Sequence, residues 1–181
     1  MKQKILIVVD MQNDFIDGSL GTAEAQAIVP AVCEKIKNAQ TENALIFATM
    51  DTHGVNYMET REGRFLPIPH CIRGTEGWQI RSEVAEALGD TRIVEKFSFG
   101  SLQLADAITE TLQIKGIAPK DTEIELIGLC TDICVVSNAL ILKARFPESD
   151  ILTDASCCAG VTPEKHLAAL ETMRSCQIEI I

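Results

Sequence analysis

Apolar residues recur along this chain in two rhythms. Short unbroken runs fall at about 4–10, 44–50, 91–95, 123–129, 150–154 and 177–181. Most are continuous rather than alternating, as strands covered on both faces require. Between them the spacing turns helical: Ala27, Ile28, Ala31, Val32 and Ile36 share one face, Ile80, Val84 and Leu88 another closed by Gly89, then Leu104, Ile108 and Leu112. Thr162 and Pro163 supply an N-cap and first helical position for a last helix, with Leu167, Leu170 and Met173 turned inward. Alternating strands and helices predict an α/β fold, a three-layer, doubly wound, Rossmann-like parallel sheet of six strands. No repeat, low-complexity tract or Ser/Gly linker interrupts it, so residues 1–181 are expected to form a single domain.

Composition narrows the partners. The hydrophobic share of 46% is ample for one core, and 26 acidic against 16 basic side chains give a net charge of -10. That charge repels phosphate backbones and anionic membranes, and suits a small neutral or cationic substrate better. Lys2 and Lys4 precede an apolar run, but Asp10 ends it too early for a signal-peptide core or a membrane span, so the expected location is the cytoplasm. Cysteines 33, 71, 130, 134, 157, 158 and 176 lack the paired C-x-x-C spacing of structural zinc sites and are read as reduced thiols.

Chemistry concentrates at strand ends. Gly128-Leu129-Cys130-Thr131-Asp132-Ile133-Cys134 drops a thiol into the start of a helix directly after a buried strand. Thr131 or Asp132 can cap that helix, which runs through Val135, Val136, Ala139, Leu140 and Ala144. Cys134 would then lie within a turn of the positive end, where the dipole lowers a thiol's pKa. Free N–H groups between Cys130 and Cys134 can receive an oxyanion. Asp10 and Lys96 end the first and third strands, and ligands of open α/β sheets bind beyond the carboxyl ends of strands where the winding reverses. Asp, Lys and Cys together make a hydrolytic set. Against this, Cys134 can be read as a small apolar filler, Asp10 as a cap or surface charge, and Lys96 as a solvated side chain.

From about Asp51 to Gly77 no periodicity holds, and so long a connection in a compact domain points to a functional loop. Asp51-Thr52-His53 opens it and His70 follows its Pro-rich part. One carboxylate and two imidazoles suit Zn, Fe(II) or Mn, with a fourth position left for water, substrate or another carboxylate.

Asp10-Met11-Gln12-Asn13-Asp14-Phe15, Glu95-Lys96-Phe97-Ser98-Phe99-Gly100-Ser101 and Gly128 through Val135 resemble, in order and spacing, the isochorismatase-like cysteine hydrolases, most closely their nicotinamidase branch. The resemblance covers nearly the whole chain. It implies Asp10 as general base and acid, Lys96 as its electrostatic partner, Cys134 as nucleophile, a cis peptide just before Cys130, and an oxyanion hole from the N–H groups of Cys130 and Cys134. It also implies a divalent metal, zinc before iron or manganese, on Asp51, His53 and His70, touching the pyridine nitrogen of the substrate. Some members add a His soon after the Asp-x-His pair; this chain has Tyr57, Glu59 and Glu62 there, and Glu62 is the expected fourth ligand, direct or through water. Phe15 matches one ring-stacking wall, but Leu66 and Pro67 stand where a Trp commonly precedes the later His, and Trp78 lies too far along. The activity implied is nicotinamide hydrolysis to nicotinate and ammonia through a thioester, feeding NAD salvage. The alternatives are an amidase of the same family acting on a carbamoyl or ureido compound, and a non-catalytic doubly wound binding module; no G-x-G-x-x-G or P-loop follows the first strand to favour the module. Family members are often homo-oligomers, although the apolar pattern does not separate an interface from the core.

Overall fold

Six parallel strands lie side by side in the order β3-β2-β1-β4-β5-β6. The computed structural model describes residues 2–181. Its strands are β1 (Gln3–Val9), β2 (Leu45–Asp51), β3 (Arg92–Lys96), β4 (Thr122–Leu129), β5 (Asp150–Ala159) and β6 (Glu179–Ile180). Its helices are α1 (Asn13–Ile16), α2 (Ala23–Thr41), α3 (Arg61–Phe65), α4 (Ser82–Leu88), α5 (Leu102–Lys115), α6 (Val136–Arg145) and α7 (Pro163–Ser175). The chain winds outward from β1 through β2 to β3, then returns to the other side of β1 with β4. The reversal therefore lies between β1 and β4, the crevice where such sheets bind ligands.

The unbroken apolar runs reflect two cores, one on each face. Ile5, Ile7 and Val9 of β1 and Ile124 and Leu126 of β4 pack with Leu104, Ile108 and Leu112 of α5, Ala139 and Leu142 of α6, and Leu170 and Met173 of α7. Their neighbours Leu6, Val8, Ile127 and Leu129 turn the other way, against Ile28, Val32 and Ile36 of α2 and Val84 and Leu88 of α4. Each such side chain contributes about 1.5–3 kcal/mol by leaving water, so both faces of β1 and β4 are anchored and their ends are fixed in space.

Several helix faces differ from the expected ones. α2 is capped by Thr22, whose Oγ1 accepts the Ala25 N–H at 3.0 Å, and buries Ala25 and Ala39 while the expected Ala27 faces solvent. α7 starts at Pro163 behind the Thr162 cap as expected, yet Leu167 is 64% exposed and Ala169 packs inward with Leu170 and Met173. β5 runs on to Ala159 because its register against β4 slips: Leu126 pairs with Thr153 but Gly128 with Cys158. Near that slip, Lys35 Nζ of α2 lies 2.7 Å from both Asp154 Oδ2 and Glu125 Oε1, tying α2 to the sheet. The run expected over 177–181 supplies only a two-residue β6.

Gly128 is the close approach that shapes the crevice. Its φ is 113°, and a Cβ there would sit 2.2 Å from the Val9 carbonyl oxygen, so only glycine lets β4 lie this near β1 just before both strands end. Among the described residues no helix is long and apolar enough to cross a membrane.

Candidate active site

Parallel strands bring their carboxyl ends to one rim, and four neighbouring ends there carry chemistry. Asp10 follows β1, Asp51 ends β2, Lys96 ends β3 and Cys130 follows β4, with Asp51 and Lys96 register partners across β2 and β3. Lys96 is 1% exposed, and its ammonium is the hub: Nζ lies 2.7 Å from Asp10 Oδ2, 3.1 Å from Asp51 Oδ1, 3.2 Å from the Ser98 carbonyl and 3.4 Å from Cys134 Sγ. The three side chains 10, 96 and 134, far apart in sequence, thus meet at one buried point. Asp10 takes a left-handed backbone, φ 47°, held because its N–H reaches the Thr49 carbonyl at 3.2 Å and the Thr49 hydroxyl donates to Asp10 Oδ1 at 2.6 Å.

Burial sets the electrostatics. It lifts the Asp10 carboxyl above its usual range, Lys96 pulling it down and Asp51 pushing it further up. It lifts the Cys134 thiol well above an ordinary cysteine, and the Asp10 charge adds to that while Lys96 opposes. The expectation of a thiol lowered by a helix dipole is therefore corrected: loss of water outweighs it. Burial works against the Lys96 charge, but Asp10, Cys134 and Asp51 overcome it and hold the ammonium protonated. For Asp51, burial is outweighed by hydrogen bonds from His53 and His70 and by Lys96, which hold its carboxyl below the carboxylate range.

The peptide between Leu129 and Cys130 is cis. Cys130 opens a π-helical turn, Thr131–Val135, whose Ile133 and Val135 N–H groups both donate to the Cys130 carbonyl at 3.1 Å before α6 begins at Val136. Neither Thr131 nor Asp132 caps α6, contrary to expectation. Thr131 Oγ1 pairs instead with His166 Nδ1 at 2.8 Å, and Asp132 Oδ1 accepts the Val161 N–H at 2.9 Å. Among the described residues no acceptor takes the Cys130 N–H. One helical turn beyond Cys134, buried Asn138 donates to the Cys134 carbonyl at 2.8 Å and accepts the Ser101 N–H at 3.0 Å.

Asp51, His53, Glu62 and His70 converge next to this hub, one ligand atom from each lying within 4.8 Å of all the others. His53 Nε2 is 3.0 Å from Asp51 Oδ2 and 3.7 Å from Glu62 Oε1; His70 Nε2 is 3.6 and 3.7 Å from the same two atoms. Tetrahedral bonds of about 2.0–2.1 Å put neighbouring ligand atoms about 3.3 Å apart, so this donor set fits a first-row divalent ion. The His70 Nδ1–H donates to the Ile68 carbonyl at 2.9 Å, which leaves Nε2 free to ligate. α3 delivers Glu62, capped where Thr60 Oγ1 accepts the Gly63 N–H at 3.0 Å. Asp51 itself is clamped by Gln12, whose Oε1 accepts its N–H at 2.7 Å and whose Nε2 donates to its carbonyl at 2.9 Å. Asp51 serves both centres, Oδ1 toward Lys96 and Oδ2 toward the histidines.

A cavity of about 250 Å³ opens over both groups, lined by Phe15, Leu66, Phe99, Ile133 and Val161 together with Cys130, Cys134, Asp51, Glu62 and His70. Pockets for drug-sized ligands hold about 300–1,000 Å³, so this one suits something smaller. Phe15 lies against His70, ring centroids 5.6 Å apart. Trp78 is absent from the lining, its indole N–H given to Thr52 Oγ1 at 2.9 Å. Thr49, Gln12, Asn138 and Phe99 were not singled out from sequence for these positions. Gln12 and Phe99 lie within quoted motifs and Asn138 stands four residues after Cys134, whereas Thr49 carries no local signal.

The isochorismatase domain model matches residues 4–181. The chain belongs to the isochorismatase domain family. It is 27% identical to the nicotinamidase/pyrazinamidase of Mycobacterium tuberculosis over 98% of each chain. Among solved structures, the pyrazinamidase of Pyrococcus horikoshii in complex with zinc is 30% identical, with a TM-score of 0.82 over 99% of this chain and 98% of that one. The N-carbamoylsarcosine amidase of Thermoplasma acidophilum is 25% identical, with a TM-score of 0.79 over 98% and 95%.

Proposed function

We propose that this protein hydrolyses a small carboxamide, with nicotinamide the leading substrate, through a thioester on Cys134. The observation that carries the reading is the contact of one buried ammonium, Lys96, with both Asp10 Oδ2 at 2.7 Å and Cys134 Sγ at 3.4 Å, at a cavity the sulfur lines. Burial raises the Asp10 carboxyl, which makes its carboxylate a stronger base than that of a free aspartate, and Lys96 lies close enough to offset the charge on either Asp10 or Cys134. Asp10 takes the Cys134 proton, sulfur attacks the amide carbon, and the oxygen gathers its negative charge at the N–H groups of Cys130 and Cys134. Collapse expels ammonia with the proton from Asp10. Asp10 then takes a proton from water, whose oxygen attacks the thioester; the acid departs and the proton returns to sulfur.

Asp51, His53, Glu62 and His70 would hold a divalent ion, zinc in preference, acting as a Lewis acid toward an electron-rich substrate atom such as a pyridine nitrogen. His70 and Glu62 line the cavity, so this chain's contribution there is to orient the bound amide. With nicotinamide the products are nicotinate and ammonia, a step of NAD salvage, in a cytoplasm that keeps seven free thiols reduced. A second reading, hydrolysis of a carbamoyl or ureido compound, is favoured by aliphatic Leu66 in the wall facing such a substrate.

Ammonia release from nicotinamide, pyrazinamide and carbamoyl compounds ranks the two readings. Cys134→Ala abolishes turnover with the fold retained by circular dichroism, and hydroxylamine captures the acyl group from the parent enzyme as a hydroxamate. Appreciable turnover by Cys134→Ala refutes the covalent route.

A further inference from the structure

The third histidine, His166, has no part in the chemistry above, yet it reaches the turn that carries it. Thr131 is fully buried, and a buried hydroxyl without a partner costs about 1–3 kcal/mol. The partner its Oγ1 finds is His166 Nδ1 of α7 at 2.8 Å. One residue along, Asp132 Oδ1 accepts the Val161 N–H at 2.9 Å. The corner between β5 and α7 thus grips two consecutive side chains of the turn, both on the residues directly after Cys130. The close approach depends on Gly160: a Cβ there would lie 2.8 Å from the His166 backbone nitrogen and 2.9 Å from Asp132 Oδ1. Gly160 and Val161 also line the cavity beside Cys130 and Cys134, so the same corner is both wall and clamp.

A turn that offers backbone N–H groups to a developing charge works only if those groups are held still; a misplacement of about 1 Å can cost on the order of a hundredfold in rate. The end of β4 at Leu129 holds one end of the turn and Asn138, bonded to the Cys134 carbonyl, holds the other. The middle is held from outside by the corner. Burial keeps the His166 ring below the usual imidazole range against the pull of Asp132, so it is neutral near pH 7 and offers Nδ1 for a single hydrogen bond in either direction.

We infer that His166 is a positioning residue for the reaction, fixing the N–H groups of Cys130 and Cys134 through Thr131 Oγ1. This rests on the hydrolase reading above. The test compares metal-loaded parent, His166→Ala, His166→Asn and Thr131→Val enzymes, since asparagine returns a polar atom to the place of Nδ1. His166→Ala and Thr131→Val each lower kcat about tenfold with KM within twofold, and His166→Asn restores most of the loss. The double variant His166→Ala/Thr131→Val is no slower than the worse single one, as expected for two ends of one contact. Amide hydrogen exchange over 130–134 speeds up in His166→Ala and Thr131→Val and returns to the parent rate in His166→Asn, a readout that stands even if no tested amide is a substrate. Unchanged exchange, a shift in KM rather than kcat, or His166→Asn as impaired as His166→Ala overturns the inference.

Discussion

Lys96→Met removes the one cation that the buried carboxylates share. At 2.7 Å and an effective dielectric of about 20, the Lys96–Asp10 attraction is about 6 kcal/mol. Burial and the Asp51 charge already favour the neutral Asp10 carboxyl, and only the Thr49 hydroxyl is left to oppose them. Asp10 therefore keeps its proton near neutral pH and cannot accept one from Cys134, whose thiolate has also lost its neighbour at 3.4 Å. Loss of a general base costs about 10²–10⁴ in rate, and kcat is expected to fall within that range. Removing a positive charge makes a carboxyl harder to ionise, so the acid limb of kcat/KM moves to higher pH and the residual rate climbs with alkalinity. The assay is ammonia release from pH 5.5 to 9.5, with circular dichroism to establish folding. A kcat within tenfold of the parent, or an acid limb that stays put, refutes the argument that Lys96 governs the ionisation of Asp10.

The other predictions concern the ligand group and the scaffold. His53→Ala and His70→Ala each lose bound metal by elemental analysis and raise KM more than they lower kcat; full metal content in both variants would remove Asp51, His53, Glu62 and His70 as the ligand set. Asp154→Asn loosens α2 from the sheet at a cost of about 1 kcal/mol, allowing for the water that reaches the Lys35 cluster. Hydrogen bonds from Lys35 and Ser156 outweigh burial and hold the Asp154 carboxyl low, so its contribution is present above an ordinary aspartate value of about 3.9 and disappears as pH falls through the folded one. Melting curves of parent and variant should accordingly differ at pH 7 and converge in strong acid; a pH-independent gap would contradict the ion-pair account. Gly128→Ala forces a Cβ onto the Val9 carbonyl at a positive φ, and the expected loss exceeds about 2 kcal/mol, read as a lower midpoint in urea; an unchanged midpoint would mean that the two strands part without cost.

Strands and their parallel arrangement were legible because burial on both faces writes itself as an unbroken apolar run, as in Ile5 to Val9. The charges and thiol that end those runs were legible too, Asp10, Lys96 and Cys134 standing where the pattern stops. The misjudged positions share a cause. Alanine is too weakly apolar to fix a helix's rotation, so Ala27 was expected inside where Ala25 and Ala39 lie, and Leu167 was assigned inward by spacing alone. The register slip in β5 places Asp154 and Ser156 inside a strand, which polar residues conceal. The direction of the Cys134 shift depends on how much water the fold removes, and no local motif records that. Thr131 and Asp132 look like caps by type, but partners 35 and 29 residues downstream claim their side chains.

Asp51, with one oxygen on the ammonium and the other among the imidazoles, makes the two halves of the site unequal under mutation. A descendant without an ion at this group could lose His53, Glu62 and His70 and leave the Lys96 hub intact, since none of the three bonds to that ammonium. Position 51 would be retained, since without its anion the buried lysine loses half its counter-charge. Aspartate stranded beside vanished histidines is therefore the fossil to seek in metal-free cousins of this chain.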